Sequence, residues 1–240
     1  MLVLATVPGA GVVGLSTPTL DAPLTTPPTR ILRAMPDDAV LSKRLSRLVL
    51  TAFYGDRFFG PLASVQANII EKNVMVDLQQ RLQFYEEARE RSLLHTGAIF
   101  YSQNAESGEV LGFIDVGLSL FDTRRRNFNL PRRADALPIP GQVPMPYLSN
   151  LAVDARARRK GVGRQLVEAC EAEARRWGDD GAHPHLWLEA SLSNQGGLRF
   201  YERLGYERVE TTSGREVVRR RWSFETIDVQ RALMQKSLLT

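Results

Sequence analysis

Residues 146–177, PYLSNLAVDARARRKGVGRQLVEACEAEARRW, decide the fold of this chain. They predict a strand from Tyr147 to Val153, a short basic turn that contains Gly161 and Gly163, and then an amphipathic helix. The apolar residues of the helix recur at the spacing of one buried face: Val162, Leu166, Ala169, Cys170, Ala174 and Trp177. A strand–turn–helix unit therefore forms the centre of the predicted structure.

The turn of this unit has the physical properties of an anion site. Backbone N–H groups at a helix start lack partners and lie at the positive end of the helix dipole. Gly161 and Gly163 let an anion approach the backbone without a Cβ in the way. Positive side chains cluster at the same place: Arg156, Arg158, Arg159, Lys160 and Arg164. The glycine spacing differs from that of dinucleotide-binding loops and of nucleoside-triphosphate loops.

The pattern R-x-x-G-x-G after a strand resembles the pyrophosphate loop of the GNAT superfamily of acyl-CoA N-acyltransferases. Residues 194–206, NQGGLRFYERLGY, resemble the second signature of that superfamily, N-x-x-A-x-x-x-Y-x-x-x-G-F. The two signatures occur in the expected order, and the strand-like residues 185–190 lie between them. The sequence departs from the second signature at Gly197, where alanine is usual, and at Tyr206, where phenylalanine is usual.

The resemblance covers about residues 29–240 and implies an α/β (α+β) fold of the GNAT type. This fold has a mixed, mostly antiparallel sheet of six to seven strands with about four helices around it. The fourth and fifth strands splay apart, so that the pantetheine arm of the cofactor fits between them. The local patterns predict strands at 29–35, 97–103, 110–122, 147–153, 185–190 and 223–236, helices at 36–53 and 62–90, and a turn at Ser213–Gly214.

The resemblance also implies a role for individual residues, with acetyl-CoA as the cofactor. The central strand would pair with pantetheine, and the basic turn would hold the pyrophosphate. The residues expected to bind the cofactor are Leu151, Ala152, Val153, Arg158, Arg159, Lys160, Gly161, Val162, Gly163, Arg164, Asn194, Gln195, Gly196 and Tyr201. Tyr201 is also the expected catalytic residue, because it matches the tyrosine that donates a proton to the leaving thiolate of coenzyme A.

Tyr147 and Ser149 are expected to line the substrate cleft. Counted back from the phosphate loop, Tyr147 takes the place at which the histone acetyltransferase branch has a glutamate base. A tyrosine is a poor base at neutral pH, because its reference pKa is about 10. We therefore expect the acceptor amine to lose its proton through water and backbone carbonyls, or through a distant carboxylate.

The central stretch also resembles the plastid-type acetyltransferases of plants and algae and their cyanobacterial relatives. Those enzymes acetylate both protein N-termini and lysines. The resemblance implies an acetyl-CoA-dependent protein N-acetyltransferase in which the α-amine, or a lysine ε-amine, attacks the thioester directly. Two alternatives stay open: an enzyme that acetylates a small amine, and a non-catalytic GNAT-like subunit of a larger assembly.

Composition narrows the classes of function. The chain has 240 residues, of which 43% are hydrophobic and 24% charged, and this predicts a packed core. A net charge of +4 is too mild to imply nucleic-acid binding. The single cysteine excludes an internal disulfide and a cysteine-based zinc site, and we expect no metal. No apolar run approaches the length of a membrane span, and the oligomeric state stays open.

Two segments differ from the rest of the chain. Residues 1–28 are rich in Thr, Pro, Gly and Ala, and we expect a flexible leader that serves as a chloroplast transit peptide. The alternative is an uncleaved tail on a soluble cytoplasmic protein, and the absence of arginine before Arg30 favours it. Residues 123–146 are predicted to be an Arg- and Pro-rich loop insertion that flanks the substrate cleft or is simply solvated.

Overall fold

The computed structural model describes residues 28–54, 63–93, 96–129, 137–177, 184–219 and 224–239. The strands are β1 (Thr29–Arg33), β2 (Gly97–Asn104), β3 (Val110–Asp122), β4 (Asn127–Asn129), β5 (Gln142–Val153), β6 (His185–Ser191), β7 (Glu207–Arg219) and β8 (Phe224–Ser237). The helices are α1 (Ala39–Tyr54), α2 (Ala63–Glu90), α3 (Val162–Arg175) and α4 (Gln195–Arg203). Residues 1–27, which contain nearly all of the expected leader, lie outside the described residues.

The first two helices follow the local signals of the sequence. Asp38 begins α1, because its carboxylate accepts a hydrogen bond from the N–H of Leu41 at 2.7 Å. The apolar residues of α1 and α2 recur at helical spacing, and each helix buries one face against the sheet. None of the described helices is long and apolar enough to cross a membrane.

One mixed sheet forms the centre of the molecule, with the strand order β1-β2-β3-β5-β6-β8-β7 and with β4 paired to β3. Every described strand pair is antiparallel except β5 with β6, which is parallel. Residues of α1 and α2 form a core with one face of the sheet, and residues of α3 and α4 form a second core with the other face. The predicted fold class is confirmed, and β4 adds a short strand to the seven of the continuous path.

The sheet is split between β5 and β6. These two strands pair only at Tyr147 with Trp187 and at Leu148 with Leu188. Beyond Leu148 and Leu188 each strand continues without the other, so a gap opens that connects the two faces of the sheet. We call the closed end of this gap, at Leu148 and Leu188, the apex. The predicted splay between the fourth and fifth strands corresponds to this gap, although β4 shifts the strand numbers by one.

The predicted turn at Ser213–Gly214 is wrong. β7 runs unbroken through both residues, and Gly214 pairs with Val229 of β8. A Cβ on Gly214 would lie 2.9 Å from a guanidinium nitrogen of Arg231. Glycine therefore leaves room for the Arg231 side chain on the neighbouring strand, and the last described pair of the two strands is Arg219 with Phe224.

The segment expected to be a long loop is partly a hairpin. The pairing of β3 with β5 begins at Asp122 and Gln142, so β5 starts before the predicted Tyr147. We call residues 118–129 and 137–146 the hairpin arm. Arg126 in the arm's turn forms an ion pair with Glu210 of β7, three strands away from β5 in the sheet order. The arm therefore folds over the face of the sheet toward β7.

Candidate functional site

A β-bulge on β5 shapes the gap. Ser149 pairs with Asp115 and Ala152 pairs with Phe113, so Asn150 and the residue after it lie opposite a single residue of β3. Asn150 has a φ of 56°, a left-handed conformation that asparagine tolerates better than most residues. A bulge bends and twists its strand. It comes directly after the last pairing with β6, and it therefore explains why β5 turns away from its neighbour there.

The residues expected to bind pantetheine line the gap. Leu151 is the second residue of the bulge, and Ala152 and Val153 after it pair with Phe113 and Gly112 of β3 along one edge. Among the described strands, none pairs with their other edge. An edge of this kind can accept hydrogen bonds from an extended ligand as though the ligand were another strand. Ala152 is buried, and the other two residues are half-buried.

The basic turn ends in an open helix start. Arg159 and Gly161 both adopt left-handed conformations, with φ of 62° and 81°, and α3 begins directly after them. The first hydrogen bond inside the helix runs from the N–H of Gln165 to the carbonyl of Gly161 at 3.1 Å. The N–H groups of residues 162–164 therefore precede the helical ladder and are open to an anion.

The basic side chains near this turn are not equivalent. Arg156 forms ion pairs with Asp154 and Glu109. The guanidinium of Arg158 donates to the carbonyl of Val153 at 3.1 Å, so it fastens the turn to the end of β5. Arg159, Lys160 and Arg164 form no hydrogen bond or ion pair within the described part of the chain. These three side chains are therefore available to bind an anion.

Asn194 is the N-cap of α4. Its side-chain oxygen accepts a hydrogen bond from the N–H of Gly197 at 2.9 Å, and Gln195 donates to the carbonyl of Leu192 at 2.8 Å. A Cβ on Gly197 would lie 2.6 Å from the Asn194 amide nitrogen. The departure from the usual alanine therefore gives room to this Asn194 side chain. Gly196, beside it, is exposed at the helix start.

Tyr201 lies on α4 at the α3–α4 face of the sheet. Its ring makes edge contacts with Phe200 and Tyr206, with ring centres 5.1 and 5.7 Å away. Burial raises the pKa of Tyr201 well above its usual 10, and the hydroxyl therefore stays protonated at physiological pH. Within the described residues the Tyr201 hydroxyl has no hydrogen-bond partner. The ring packs against its neighbours, and the hydroxyl is free to donate its proton to a bound molecule.

Tyr206 differs from the usual phenylalanine in a way that the structure explains. Its hydroxyl donates to Glu171 at 3.2 Å, and the ammonium of Lys236 donates to the same carboxylate at 2.8 Å. Tyr206 is 2% exposed, so its hydroxyl needs this partner. The tyrosine hydroxyl therefore adds a polar link between α3 and the turn that joins α4 to β7.

The opposite face of the sheet carries a second set of polar groups at the apex. Tyr147 packs against Phe128 of the hairpin arm, with ring centres 4.5 Å apart. Burial, and then the negative charge of Glu189, raise the pKa of Tyr147, so its phenol stays neutral and cannot serve as a base. Ser149 lies beside the bulge, where its hydroxyl accepts a hydrogen bond from the Asn150 amide at 3.2 Å.

Glu189 is a carboxylate on this face next to the apex, and the sequence patterns did not single it out. It follows Leu188, the last residue of β6 that pairs with β5. The Thr212 hydroxyl donates to it at 3.1 Å, and an Arg231 nitrogen lies 3.6 Å away. The available signal was the alternation in HLWLEAS, which puts Glu189 on the same face as Trp187 and opposite to the buried leucines.

The gap therefore has different chemistry on its two faces. Tyr201 offers a proton on the α3–α4 face, and Glu189 offers a negative charge on the face of α1 and α2. Tyr147 and Glu189 each lie one residue from the Leu148–Leu188 pair that forms the apex. A group held in the gap could receive a proton from one side while another molecule loses a proton on the other side. Among the described residues, no group of three His, Cys, Asp or Glu side chains could hold a metal ion.

Comparisons with known proteins agree with this geometry. The model of the acetyltransferase (GNAT) family matches residues 68–206. A chloroplastic GCN5-related N-acetyltransferase 4 from Arabidopsis thaliana is 32% identical over 68 residues, which are 28% of this chain and 22% of that protein.

Solved structures share the fold. PH1933 from Pyrococcus horikoshii OT3 superposes with a TM-score of 0.54 at 13% identity, over 88% of this chain and 98% of that one. A ribosomal-protein-alanine N-acetyltransferase from Brucella melitensis superposes with a TM-score of 0.51 at 17% identity, over 87% of this chain and 99% of that one.

Proposed function

Because the chain belongs to the acetyltransferase (GNAT) family, whose members transfer an acetyl group from acetyl-CoA to an amine, we propose that it acetylates the amines of proteins. The observation that carries this proposal is the split between β5 and β6, with the Tyr201 hydroxyl on one face and the Glu189 carboxylate on the other. Such an arrangement suits direct transfer, in which the amine attacks the acyl carbon from one face of the sheet and the thiolate of coenzyme A leaves toward the other.

The residues around the gap fit acetyl-CoA. The unpaired edge of Leu151–Val153 would hold the pantetheine arm. The N–H groups of residues 162–164, with Arg159, Lys160 and Arg164, would hold the pyrophosphate, and Asn194, Gln195 and Gly196 would lie beside it. Bound in this way, acetyl-CoA supplies the activated acyl group.

Gly161→Ala is expected to weaken acetyl-CoA binding about ten-fold, since a left-handed conformation costs an L-residue about 1–2 kcal/mol. No atom lies within 4 Å of the Cβ that the substitution adds, so the effect comes from the backbone conformation alone. Calorimetric titration of acetyl-CoA measures it. Gly141→Ala is the matched control, because Gly141 has a φ of 91° and lies just before β5, at the opposite end of that strand from the basic turn. Equal affinity of both variants and the native protein would contradict the expected role of the turn.

The chain's own residues would carry the protons. Tyr201 donates its hydroxyl proton to the departing sulfur, and Glu189 accepts the proton of the acceptor ammonium, directly or through water. Backbone N–H groups beyond the bulge stabilise the negative charge on the acyl oxygen. Glu189 thus takes the role of the distant carboxylate that the sequence left unassigned.

Glu189→Gln is expected to lower kcat/KM about 10²-fold at pH 7, because general-base assistance is lost while the side-chain size is kept. The deficit should shrink as pH rises through about 8, where a peptide α-amine loses its proton without help. Rate measurements between these pH values test both statements. Glu87→Gln, an exposed carboxylate on α2, is the control. A deficit that stays constant with pH would show that Glu189 has only a structural role.

We propose α-amines as the preferred acceptors. The reference pKa of a protein N-terminus is about 8 and that of lysine is about 10.4. Deprotonation by a weak base therefore costs less free energy for an α-amine than for a lysine. The partial similarity to a chloroplastic relative supports a plastid location, with residues 1–28 as the transit peptide. Import of the full chain, but not of a chain without these residues, into isolated chloroplasts would test that location.

Mass spectrometry of a peptide library after incubation with acetyl-CoA tests the proposed function. Matched peptides with either only the N-terminus or only one lysine free give the ratio of the two kcat/KM values. A strong lysine preference would contradict the α-amine assignment. Acetylation of small amines alone would favour the small-molecule alternative, and failure to bind acetyl-CoA would favour a non-catalytic subunit.

A further inference from the structure

The turn of the hairpin arm is a basic surface. Residues 123–133, TRRRNFNLPRR, contain five arginines and no acidic residue. In the described part of this segment, Arg124 and Arg125 are exposed, and Arg126 is taken up by its ion pair with Glu210. We call Arg124 and Arg125 the arm-tip arginines.

Asp122, the carboxylate next to the arm-tip arginines, does not neutralise their charge, because it bonds the backbone of the turn. One oxygen of Asp122 accepts the backbone N–H groups of both Arg124 and Arg125 at 2.9 Å, which closes the turn. Its other oxygen lies 4.0 Å from the guanidinium of Arg125, at the limit of an ion pair, and the Arg125 side chain is 79% exposed. Arg124 forms no ion pair within the described residues. The arm tip therefore keeps an excess of positive charge.

Contacts of the arm bring this charge to the substrate side of the gap. The ring centre of Phe128 lies 4.5 Å from that of Tyr147 and 6.4 Å from that of Trp187. Tyr147 and Trp187 pair with each other one position before the apex. The ion pair of Arg126 with Glu210 holds the turn over β7. An acceptor peptide whose N-terminal amine reaches the apex from this face therefore extends along the arm.

We propose that the arm-tip arginines select acceptor peptides with acidic residues shortly after the reacting amine. This proposal rests on the proposed function and names the substrate class of the same site. Exposed cations attract an acidic peptide during approach and repel a basic one. Since exposed charge pairs are individually weak and are screened by salt, two of them should give a preference of about five-fold at low ionic strength.

The test compares two peptides that are identical except that glutamates at positions 2–4 are replaced by glutamines. The native protein should show about five-fold higher kcat/KM for the acidic peptide, and about 0.5 M salt should abolish the difference. Arg124→Gln/Arg125→Gln should lose the preference while keeping its rate on the neutral peptide. Arg91→Gln/Arg176→Gln removes two exposed charges from helix ends and should keep the preference.

The outcomes separate this proposal from the proposed function. Equal rates on both peptides, or a preference that survives in the arm variant, would overturn the proposal and leave the proposed function intact. Acetylation of neither peptide would overturn the proposed function and the peptide selection together. Equal peptide rates together with arm-dependent binding of an RNA oligonucleotide would show that the arm recognises nucleic acid, and would also overturn the proposal.

Discussion

Tyr201→Phe should lower kcat about 10²-fold and leave the affinity for acetyl-CoA nearly unchanged. The substitution removes only the hydroxyl and keeps the ring that contacts Phe200 and Tyr206. A fall of this size corresponds to about 2.7 kcal/mol of transition-state stabilisation. Steady-state kinetics with the best peptide substrate, together with calorimetric titration of acetyl-CoA, separate the two quantities.

The pH dependence sharpens this test. Because burial raises the pKa of Tyr201, the hydroxyl keeps its proton as pH rises toward 10, and the native enzyme should not lose activity there through this group. Tyr206→Phe is the matched control, since it removes a hydroxyl that bonds Glu171 and should reduce stability more than kcat. Unchanged kcat in Tyr201→Phe would show that Tyr201 is not the proton donor.

Asp115→Ala should destabilise the folded protein by about 3–5 kcal/mol. Asp115 is 1% exposed on β3 and accepts hydrogen bonds from the Arg81 guanidinium and the Tyr85 hydroxyl, both at 2.8 Å. Removal of the carboxylate leaves the positive charge of Arg81 largely buried and the Tyr85 hydroxyl without its partner. The equilibrium free energy of unfolding in urea measures the cost.

A control on the same arginine isolates the effect of burial. Asp77 also pairs with Arg81, but its side chain is 28% exposed and lies one helical turn away on α2. Asp77→Ala should therefore cost about 0.5 kcal/mol. Asp115→Asn, which keeps the shape and loses the charge, should fall between the two. If Asp115→Ala costs no more than Asp77→Ala, the buried ion pair does not hold α2 to the sheet.

Local signals predicted most of the helices and strands. The cap at Asp38, the glycine before α3 and the apolar periodicity of α1, α2 and α3 are properties of neighbouring residues, so the chain order alone reveals them. The same reasoning failed at Ser213–Gly214. A glycine that opens a turn and a glycine that makes room for the side chain of a partner strand look alike in the sequence.

The candidate site was predictable only where it is continuous in sequence. The basic turn and the segment from Asn194 to Tyr201 are each one short stretch of sequence, and the resemblance to the GNAT superfamily gave both their expected roles. Glu189 depends on Thr212 and Arg231, which come from two other strands. The bulge at Asn150 depends on the register of β5 against β3. Neither the partners of Glu189 nor this register can be read from the neighbours of a residue.

The sequence by itself determined the strand–turn–helix unit, its resemblance to the GNAT superfamily and the cluster of basic residues in the turn. These features follow from residue type and short-range spacing. Only the tertiary structure decided where the turn at residues 158–164 lies relative to the gap between β5 and β6. The parallel strands β5 and β6 separate after two residue pairs, the second of which is Leu148 with Leu188, and this separation leaves the Tyr201 hydroxyl and the Glu189 carboxylate on opposite faces of one gap. Long-range pairing fixes that geometry, since the two strands are joined only through α3 and its flanking segments.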